Sequence, residues 1–378
     1  MHEEVKVGPI RHLILQSTPY CNIRCRYCYL SEESRATKKT MDPQVACDIV
    51  RYVLSTGYST KNLHIEWHAG EPLAAGRDFY KQAFYKITQE FGSQYTFRYS
   101  IQTNGIMIND DWCNLFKEQN WEIGISVDGP DFIHNKHRRT INNHDTYNLV
   151  MRGIDCLNKH KIPFNIISVV TKDALPYPNE MYHFFKSTGA FSVGLNLEEY
   201  EGHNKNSETQ SIKIVENYDQ FFKKIFDLQN NDKILSIREI ADVERIILSH
   251  NDIIENQCNI PFYIMSFDYQ GNFSTFSPEL LTIEDSEYGS FVLGNIYKDQ
   301  FSDVLNSNQF KTIYRDIHYG VKKCKQTCKY FSLCGGGDPV NKLCENGTFK
   351  STTTFHCMSR FQIPIQTYLD NHTDINHE

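Results

Sequence analysis

The sequence predicts an α/β fold in which a partial (β/α)6 barrel of the TIM type is followed by a smaller cysteine-rich domain. Apolar or β-branched runs alternate with amphipathic stretches between residues 12 and 197, which is the pattern of βα units around a parallel sheet. Turn-like polar motifs fall at or just beyond the C-terminal ends of the predicted strands, where βα barrels carry their functional loops. A separate set of cysteines occupies the last third of the chain.

Six strands are predicted, at residues 12–16, 63–67, 97–102, 122–127, 164–170 and 191–197. Helices fill the gaps between them. The first helix begins at Pro43, because Asp42 can cap it and proline suits a first turn. After the sixth strand, residues 212–228 and 237–248 are predicted to form two helices that carry the chain out of the barrel.

Composition restricts the class of protein. A chain of 378 residues can bury one large core and a smaller one. The N-terminal residues lack the apolar core of a signal peptide, and no apolar run approaches the roughly 20 residues of a membrane helix. The net charge of −7 gives no general reason to expect nucleic-acid binding. We therefore expect a cytoplasmic protein with no membrane or nucleic-acid partner, whose twelve cysteines are reduced and largely metal-bound.

The most informative motif is Cys21-x3-Cys25-x2-Cys28, with Tyr27 just before the last cysteine. Iron–sulfur clusters are usually held by four thiolates, so three close cysteines suggest a four-iron cluster with one iron open to another ligand. A zinc site or three incidental thiols are the alternatives, although zinc loops favour paired Cys-x2-Cys units. The motif resembles that of the radical S-adenosylmethionine (SAM) superfamily, in which the open iron of a 4Fe–4S cluster chelates SAM.

Residues 67–72, Trp-His-Ala-Gly-Glu-Pro, follow the second predicted strand and resemble the superfamily's Gly-Gly-Glu-Pro motif. Alanine replaces the first glycine. The resemblance implies SAM contacts at Ala69, Gly70 and Glu71, although Ala69 lacks the wider torsional range of glycine. His68 is unusual in this motif, and it is either an ordinary polar residue at a strand end or a group with a chemical role.

Later loops resemble those that line the SAM pocket in peptide-modifying members of the superfamily. The same segments suit plain turns, because Asn-Gly and Asp-Gly-Pro are common turn sequences. Arg138 could pair with the SAM carboxylate as a planar fork, with Arg139 as the alternative. The further SAM contacts that the resemblance implies are Tyr27, Asn104, Ser126, Asp128, Arg138 and Val170.

The last third of the chain resembles the SPASM extension of radical SAM peptide maturases, whose full form holds two auxiliary clusters on seven cysteines. Residues 268–279, where the family's first auxiliary cysteine is expected, contain none. The resemblance therefore implies one auxiliary 4Fe–4S cluster, held by Cys324, Cys328, Cys334 and Cys357. Cys344 could substitute for one ligand and Cys258 could serve a degenerate site, with a buried free thiol as the alternative for both. Four cysteines also suit a structural zinc ion.

These resemblances imply a division into a radical SAM partial barrel (1–230), a helical bridge (231–257) and a SPASM-type domain with the C-terminal tail (258–378). The missing first auxiliary cluster is typical of maturases of ribosomal peptides that form three-residue cyclophanes, the XyeB and GrrM type. In that group a 5′-deoxyadenosyl radical takes a side-chain Cβ hydrogen, and the carbon radical adds to an aromatic ring. The implied partners are a ribosomal precursor peptide and an electron donor such as flavodoxin or ferredoxin.

Restoring the aromatic ring requires a proton acceptor, for which Asp338, Glu198 and His68 are the candidates. Other outcomes remain open at the level of sequence. A sulfatase-maturing enzyme, which makes formylglycine, shares the layout but is expected to keep both auxiliary clusters. A thioether-forming or epimerising maturase differs only in what the substrate radical does next. A catalytically silent cluster-holding scaffold is the non-enzymatic alternative.

Overall fold

The structure is a computed structural model that describes residues 5–205, 207–248 and 254–372. Residues 1–4 and 206 of the predicted barrel, residues 249–253 of the predicted bridge and residues 373–378 of the C-terminal tail therefore lie outside the described residues.

The strands, numbered along the chain, are β1 (Ile10–Leu15), β2 (Ile23–Cys25), β3 (Ser59–Trp67), β4 (Thr96–Thr103), β5 (Glu122–Ser126), β6 (Arg138–Thr140), β7 (Phe164–Val170), β8 (Ser192–Leu197), β9 (Ser236–Ile237), β10 (Ile264–Phe267), β11 (Asn272–Thr275), β12 (Glu284–Asp285), β13 (Gly289–Ser290) and β14 (Gly294–Asn295).

The α-helices are α1 (Glu32–Ala36), α2 (Pro43–Ser55), α3 (Arg77–Phe91), α4 (Asp110–Glu118), α5 (Asp131–His137), α6 (Tyr147–Lys159), α7 (Pro178–Ser187), α8 (Ile212–Asp232), α9 (Arg238–Leu248), α10 (Phe301–Asn306), α11 (Asn308–Thr327), α12 (Phe331–Cys334), α13 (Pro339–Asn346), α14 (Phe355–Cys357) and α15 (Ile363–Asn371). Short 3-10 turns lie at Pro72–Ala75, Gln257–Asn259 and Pro278–Thr282, and a π-helical turn at Met358–Gln362 precedes α15.

A single ten-stranded sheet organises the molecule, in the order β14-β11-β10-β1-β3-β4-β5-β7-β8-β9. The strands from β10 to β9 in this order run parallel, whereas β11 is antiparallel to both of its neighbours, β10 and β14. All six predicted strands are present, and the predicted α/β fold with a central parallel sheet is confirmed. Parallel strands need long crossover connections, which explains why helices separate them in the sequence.

The two faces of the sheet differ in polarity. Residues such as Leu13, Ile65 and Trp67 alternate along β1 and β3 and pack into the hydrophobic core beneath the helices. The alternate residues of the same strands, His12 and Glu66, lie on the opposite, concave face and pair with each other at 2.8 Å. The interior of the partial barrel therefore has a polar lining, as expected where a sheet encloses a site for polar ligands.

Local sequence explains the first long helix. Asp42 accepts a hydrogen bond from the Gln44 amide at 2.7 Å, and Pro43 is the first residue of α2, as predicted. Ile49 and Val53 on the inner face are fully buried. The later helices α8 and α9 also match the prediction, although α8 extends four residues further, to Asp232.

None of the six strands predicted from the sequence lies after residue 197. β10 nevertheless pairs in parallel with β1, from His12 opposite Ile264 to Leu15 opposite Phe267. The C-terminal part of the chain is thus joined to the barrel by main-chain hydrogen bonds at its first strand. Among the helices that the structure describes, none is both long and apolar enough to cross a membrane. The three-part division of the chain stays a prediction.

Candidate active site

The cysteine loop leaves the C-terminal end of β1, at the mouth of the barrel. Cys21 is buried, while Cys25 and Cys28 are half-buried. Burial raises the pKa of the Cys21 thiol, and the neighbouring Cys25 raises it further. The pKa of Cys25 is raised by burial to about 11, although the Arg138 guanidinium opposes the shift. The three thiols are therefore close enough to influence one another, and a bound metal cluster would stabilise their deprotonated forms.

The loop fits a 4Fe–4S cluster better than a single metal ion. The Arg138 guanidinium donates to the Cys25 sulfur at 3.7 Å, and the Asn104 amide approaches the Cys21 sulfur at 4.0 Å. Such donors stabilise thiolate ligands and tune a cluster. Thiolates around one zinc ion lie about 3.8 Å apart. The three cysteines do not form a group whose ligand atoms all lie within 4.8 Å of one another in the described part of the chain.

Arg138 reaches Cys25 because two very short strands pair across the site. β2 and β6 are antiparallel, and Cys25 lies directly opposite Arg138. The buried Asp128 carboxylate accepts a hydrogen bond from Arg138 Nε at 3.0 Å and another from the Val169 amide at 3.2 Å. Tyr27 donates its hydroxyl to the same carboxylate, and its ring lies 5.5 Å from the Arg138 guanidinium. Three predicted SAM-contacting residues, Tyr27, Asp128 and Arg138, thus form one cluster.

Glu71 organises the opposite wall of the site. Its carboxylate is buried and accepts hydrogen bonds from Leu73 N at 2.9 Å, Thr103 Oγ1 at 2.6 Å and Asn104 N at 2.9 Å. Burial raises the pKa of this carboxyl group, and the three donors oppose the shift. Glu71 therefore connects the loop after β3 to the loop after β4. This role is structural and differs from a direct SAM contact, which remains a prediction.

Ala69 and Gly70 both have left-handed backbone conformations, with φ of 68° at each. The sequence motif thus keeps its backbone shape although alanine has replaced a glycine. A Cβ atom at Gly70 would lie 2.3 Å from the Thr18 carbonyl oxygen, so this glycine allows the motif to pack against the segment that leads into the cysteine loop.

The remaining predicted SAM contacts differ in their placement. Ser126, at the end of β5, accepts a hydrogen bond from Gln102 at 2.8 Å on the concave face. Val170 is fully buried in the hydrophobic core, whereas its neighbour Val169 is partly exposed and hydrogen-bonded to Asp128. The structure therefore places Ser126 beside the barrel interior and Val170 beneath it.

The four predicted auxiliary ligands lie together in the C-terminal region. Burial raises the pKa of Cys334, with added repulsion from Cys328 and Cys324, and raises that of Cys357 to about 12, with added repulsion from Cys334. Among the described residues, no three of these four sulfur atoms all lie within 4.8 Å of one another, a spacing that favours a cluster over zinc.

Two donors to the auxiliary cysteines were not found from the sequence. The ammonium group of Lys342, a buried residue, lies 3.5 Å from the Cys324 sulfur, and Gln362 donates to the Cys357 sulfur at 3.3 Å. A buried lysine requires a negative partner, and four thiolates around a cluster provide one. Lysine usually occupies an exposed helix position. The closeness of Lys342 to cysteines in the sequence was therefore the only indication of this contact.

A group of carboxylates and one histidine lies between the barrel and the C-terminal region. His356 contacts Glu199 at 3.2 Å and Asp338 at 2.9 Å. Burial lowers the pKa of His356, but the two carboxylates outweigh this effect and raise it to about 10. Asp338 also accepts from Asn256 at 2.9 Å, and despite burial these contacts lower its pKa to about 2. Asp338 is therefore an ionised, fully engaged carboxylate.

A cavity of about 320 Å³ opens beside the cysteine loop and is lined by residues from β1, β10 and α1, from the loop after β3 and from the 3-10 turn at Pro278–Thr282. Three of its lining residues contain buried polar atoms that have no hydrogen-bond partner among the described residues: the Tyr29 hydroxyl, His68 Nδ1 and Ser266 Oγ. Buried polar atoms are nearly always hydrogen-bonded, and exceptions require an explanation. A polar ligand in this cavity would provide the missing partners.

Comparison with known proteins identifies the family. An uncharacterised protein of Synechocystis is 42% identical over 361 residues, which cover 94% of this chain and 90% of that protein. The model of the radical SAM superfamily matches residues 15–200. The chain belongs to the radical SAM superfamily. The cysteine-type anaerobic sulfatase-maturating enzyme of Clostridium novyi is 29% identical over 339 residues, 87% of this radical SAM protein and 88% of the relative.

Solved structures resemble this radical SAM enzyme over nearly its whole length. The structure of anSMEcpe with bound AdoMet and Kp18Cys peptide has a TM-score of 0.79 at 22% identity, covering 97% of this chain and 99% of the other. SuiB of Streptococcus suis, bound to its precursor peptide SuiA, has a TM-score of 0.64 at 14% identity, with coverages of 93% and 76%. At such identities the similarity establishes the fold.

Family membership confirms the predicted cofactors, SAM and 4Fe–4S clusters, and the prediction that the protein is an enzyme. The predicted ligands and SAM contacts stay predictions, residue by residue. The site of this radical SAM enzyme nevertheless brings the three N-terminal cysteines, Arg138 and Asp128 together, and it groups the four C-terminal cysteines separately.

Proposed function

We propose that this radical SAM enzyme is a maturase of a ribosomally synthesised peptide, which abstracts a side-chain Cβ hydrogen and forms a C–C crosslink to an aromatic ring, a cyclophane. The cavity beside the cysteine loop is the observation on which the proposal rests. Its three unpartnered polar atoms, on Tyr29, His68 and Ser266, suit the amide groups of an extended peptide.

The number of auxiliary clusters in the C-terminal region distinguishes cyclophane formation from formylglycine formation, the main alternative. Residues 268–279 contain no cysteine, and Glu279, near the place expected for a first auxiliary ligand, is a carboxylate whose pKa is raised by burial. Carboxylates are poor substitutes for the thiolates of a 4Fe–4S cluster. One auxiliary cluster, held by Cys324, Cys328, Cys334 and Cys357, is therefore part of the proposal.

The cluster and SAM, when bound, supply the hydrogen-abstracting radical. The protein's own residues supply orientation. Arg138 carries a positive charge next to the cysteine loop and is fixed in place by Asp128, so it is suited to hold the SAM carboxylate. The loops at the barrel mouth, connected through Glu71, limit the access of water to the reacting atoms.

His68 is the best placed of the three candidate proton acceptors. Burial lowers its pKa, so the ring is neutral, and its unpartnered Nδ1 lines the cavity. Asp338 is already engaged by His356 and Asn256. The pKa of Glu198 is raised by burial, and the side chain accepts only a long hydrogen bond of 3.4 Å from Asn204. The proposal therefore gives His68 the role of taking the proton from the substituted ring. The ring must also lose one electron to become aromatic again, and a cluster held by Cys324, Cys328, Cys334 and Cys357 would accept it.

Formylglycine formation is the second candidate. It is favoured by the sulfatase-maturating relatives, which align with most of this chain. Thioether formation and epimerisation are compatible with the same site. All of these reactions require a peptide or protein substrate, so the identity of the product decides among them.

The proposal includes two partners and a location. The substrate is a ribosomal precursor peptide, and an electron donor such as flavodoxin or ferredoxin reduces the cluster. The twelve cysteines all lie in the described part of the chain and none forms a disulfide, which suits a reducing compartment such as the cytoplasm. No role for nucleic acid or a membrane is proposed.

The test is to incubate the anaerobically reconstituted enzyme with SAM, dithionite and a cysteine-free candidate peptide containing aromatic residues, and to record 5′-deoxyadenosine and peptide mass. The expected product has lost two hydrogens per crosslink, localised by fragmentation to an aromatic ring and a nearby residue. Turnover of SAM with conversion of a Cys or Ser to formylglycine would establish the second candidate instead.

A variant pair tests the role of His68. His64 lies within β3, where its ring hydrogen-bonds Ser100 at 2.7 Å, whereas His68 immediately follows the end of that strand. We expect His68→Gln to lower crosslink yield at least tenfold while 5′-deoxyadenosine still forms, and His64→Gln to keep wild-type yield. Equal losses in both variants would contradict a role of His68 in proton transfer.

A further inference from the structure

A second group of metal-ligand side chains lies outside the barrel, on the helices α4 and α6. Cys113 and Cys156 have their sulfur atoms 3.5 Å apart. The ligand atoms of Cys113, Cys156 and His160 all lie within 4.8 Å of one another. Asp110 completes the group, because its Oδ1 is 2.6 Å from His160 Nε2 and 3.7 Å from the Cys156 sulfur. None of these four residues has a role in the proposed reaction.

Helix geometry explains why the four side chains converge. Asp110 and Cys113 are three residues apart on α4, and Cys156 and His160 are four residues apart at the end of α6. Residues at these separations lie on the same side of a helix. Each helix therefore presents a pair of ligands, and the two pairs face each other. Incidental thiols on two helices would not require a histidine and a carboxylate at the same point.

The geometry points to a structural zinc site with the ligands Asp110, Cys113, Cys156 and His160. In tetrahedral zinc sites Zn–S bonds of about 2.3 Å and Zn–N or Zn–O bonds of about 2.1 Å place sulfur atoms about 3.8 Å apart and nitrogen and oxygen atoms about 3.4 Å apart. The distances of 3.5 Å between the sulfurs and 2.6 Å between Asp110 and His160 are within about 1 Å of these values. Small side-chain movements would thus create the tetrahedron.

The immediate surroundings are compatible with a bound cation. Cys113 is fully buried and the His160 ring is mostly buried, so two ligands are held firmly. Lys159 also contacts Asp110, at 2.8 Å, but it is largely exposed and can turn into solvent when the carboxylate binds a metal. An exposed ion pair of this kind contributes little to stability and would not compete with metal coordination.

The site would fix a helix that supports the proposed SAM pocket. The backbone of α6 packs directly on the loop after β4, since a Cβ at Gly153 would lie 2.3 Å from the Gly105 carbonyl oxygen. Asn104, whose side chain approaches Cys21, immediately precedes Gly105. A metal that joins α4 and α6 would therefore hold the position of this loop. The inference concerns metal binding and does not depend on the proposed cyclophane chemistry.

Another group with suitable side chains has the wrong geometry for a metal. His12, His64 and Glu66 are also within 4.8 Å of one another. The two imidazole rings, however, are stacked, with centroids 4.4 Å apart and planes inclined by only 11°. A metal lies in the plane of each imidazole that binds it, so parallel stacked rings cannot share one ion well. This group is better explained by hydrogen bonding in the barrel interior.

The test measures the metals of the holoenzyme after anaerobic purification and incubation with one equivalent of Zn²⁺, followed by gel filtration. We expect about one zinc per chain in the wild type, and at least tenfold less in Cys156→Ser and in His160→Gln, with iron content unchanged. Cys47→Ser is the matched control, because Cys47 also lies beside a carboxylate, that of Glu90 at 3.3 Å. This variant should keep the wild-type zinc content.

Two further measurements keep the result unambiguous. Cys328→Ala should retain zinc, which excludes zinc bound at the auxiliary cysteines. Added Zn²⁺ should raise the thermal unfolding midpoint of zinc-depleted wild type and not of His160→Gln. The inference is overturned if the wild type holds no zinc, if Cys156→Ser and His160→Gln both keep it, or if peptide mapping of the anaerobic protein finds a Cys113–Cys156 disulfide.

Discussion

At the scale of single residues, Asp128 is the centre of the site's electrostatics. Its carboxylate is fully buried and accepts bonds from Arg138, Tyr27 and the Val169 amide. A buried ion pair is strongly destabilised when one partner is removed, since the other charge stays in the protein without compensation. Asp128 thus fixes Arg138, which in turn approaches Cys25.

We expect Asp128→Asn to lower the free energy of unfolding by about 3 kcal/mol, because the Arg138 charge loses its buried partner. SAM binding should weaken as well. Unfolding and SAM affinity of the anaerobic holoenzyme provide the measurements. Asp111→Asn is the control, because Asp111 pairs with Arg77 on the surface and should cost less than about 1 kcal/mol. Similar costs for both variants would refute the central role of Asp128.

Ala69 and Gly70 share a φ of 68° but should respond oppositely to substitution. A left-handed conformation costs a non-glycine residue about 1 kcal/mol, so Ala69→Gly should be neutral or stabilise the protein by up to about 1 kcal/mol. Gly70→Ala should destabilise it by at least about 2 kcal/mol, since the new Cβ would strike the Thr18 carbonyl oxygen at 2.3 Å. Thermal unfolding of the two variants measures these changes in stability. The prediction is wrong if Gly70→Ala is as stable as the wild type.

At the scale of elements, the cluster ligands lie on short segments that longer elements position. β2 and β6 have only three residues each, yet their pairing sets Cys25 opposite Arg138. The long helix α11 ends one residue before Cys328 and carries Cys324 in its last turn. The proposed cluster ligands therefore lie on or beside short elements, and the main sheet and α11 position these elements.

The ligand assignment predicts the iron content of cysteine variants. Two 4Fe–4S clusters give about eight iron atoms per chain. We expect Cys328→Ala to retain about four, because only the auxiliary cluster loses a ligand. Cys258→Ala and Cys344→Ala should keep the wild-type content. Cys258 lies near the Asp338 carboxylate, and Cys344 lies near Lys205 and Glu201. Iron analysis and visible absorption measure this, and loss of half the iron from Cys258→Ala would contradict the assignment.

Sequence predicted the elements that follow local rules. The six parallel strands and the start of α2 depend on apolar alternation and on Asp42 and Pro43, which are readable in a short window. The pairing of β10 with β1 was not predictable in this way, because it joins residues about 250 positions apart. Lys342 escaped notice for a related reason, since its burial beside Cys324 depends on tertiary packing.

At the scale of the whole molecule, β1 connects the three functional parts. It pairs with β3, which leads into the Ala69–Gly70 motif, and with β10, which begins the C-terminal region. The cysteine loop continues from its end. A single strand therefore positions the predicted cluster between the SAM motif and the region of the auxiliary cysteines. The cavity proposed for the peptide also lies here, because its lining includes residues of β1 and β10 and of the loop after β3.

The concave face of the same sheet makes the stability of the enzyme depend on pH. Burial lowers the pKa of His64 from 6.5 to about 3, with smaller contributions from His12 and Arg98 in the same direction, while Glu66 opposes them. The folded protein thus binds a proton at His64 less readily than the unfolded chain does. The resulting stability is present above pH 6.5 and is lost as the pH falls from 6.5 towards 3.

His64→Gln should remove this dependence. Between pH 6.5 and 5.5 the wild type should lose up to about 1.4 kcal/mol more than the variant, the value of one proton per pH unit. Glu66, whose pKa is lowered to about 2 by its contact with His12 despite burial, acts in the same direction only below about pH 4.5 and does not disturb this window.

Urea unfolding of the anaerobic protein at several pH values measures the difference. The exposed His144 provides the control, and His144→Gln should follow the wild type. If His64→Gln also follows the wild type, the buried histidine does not link the fold of the barrel to pH.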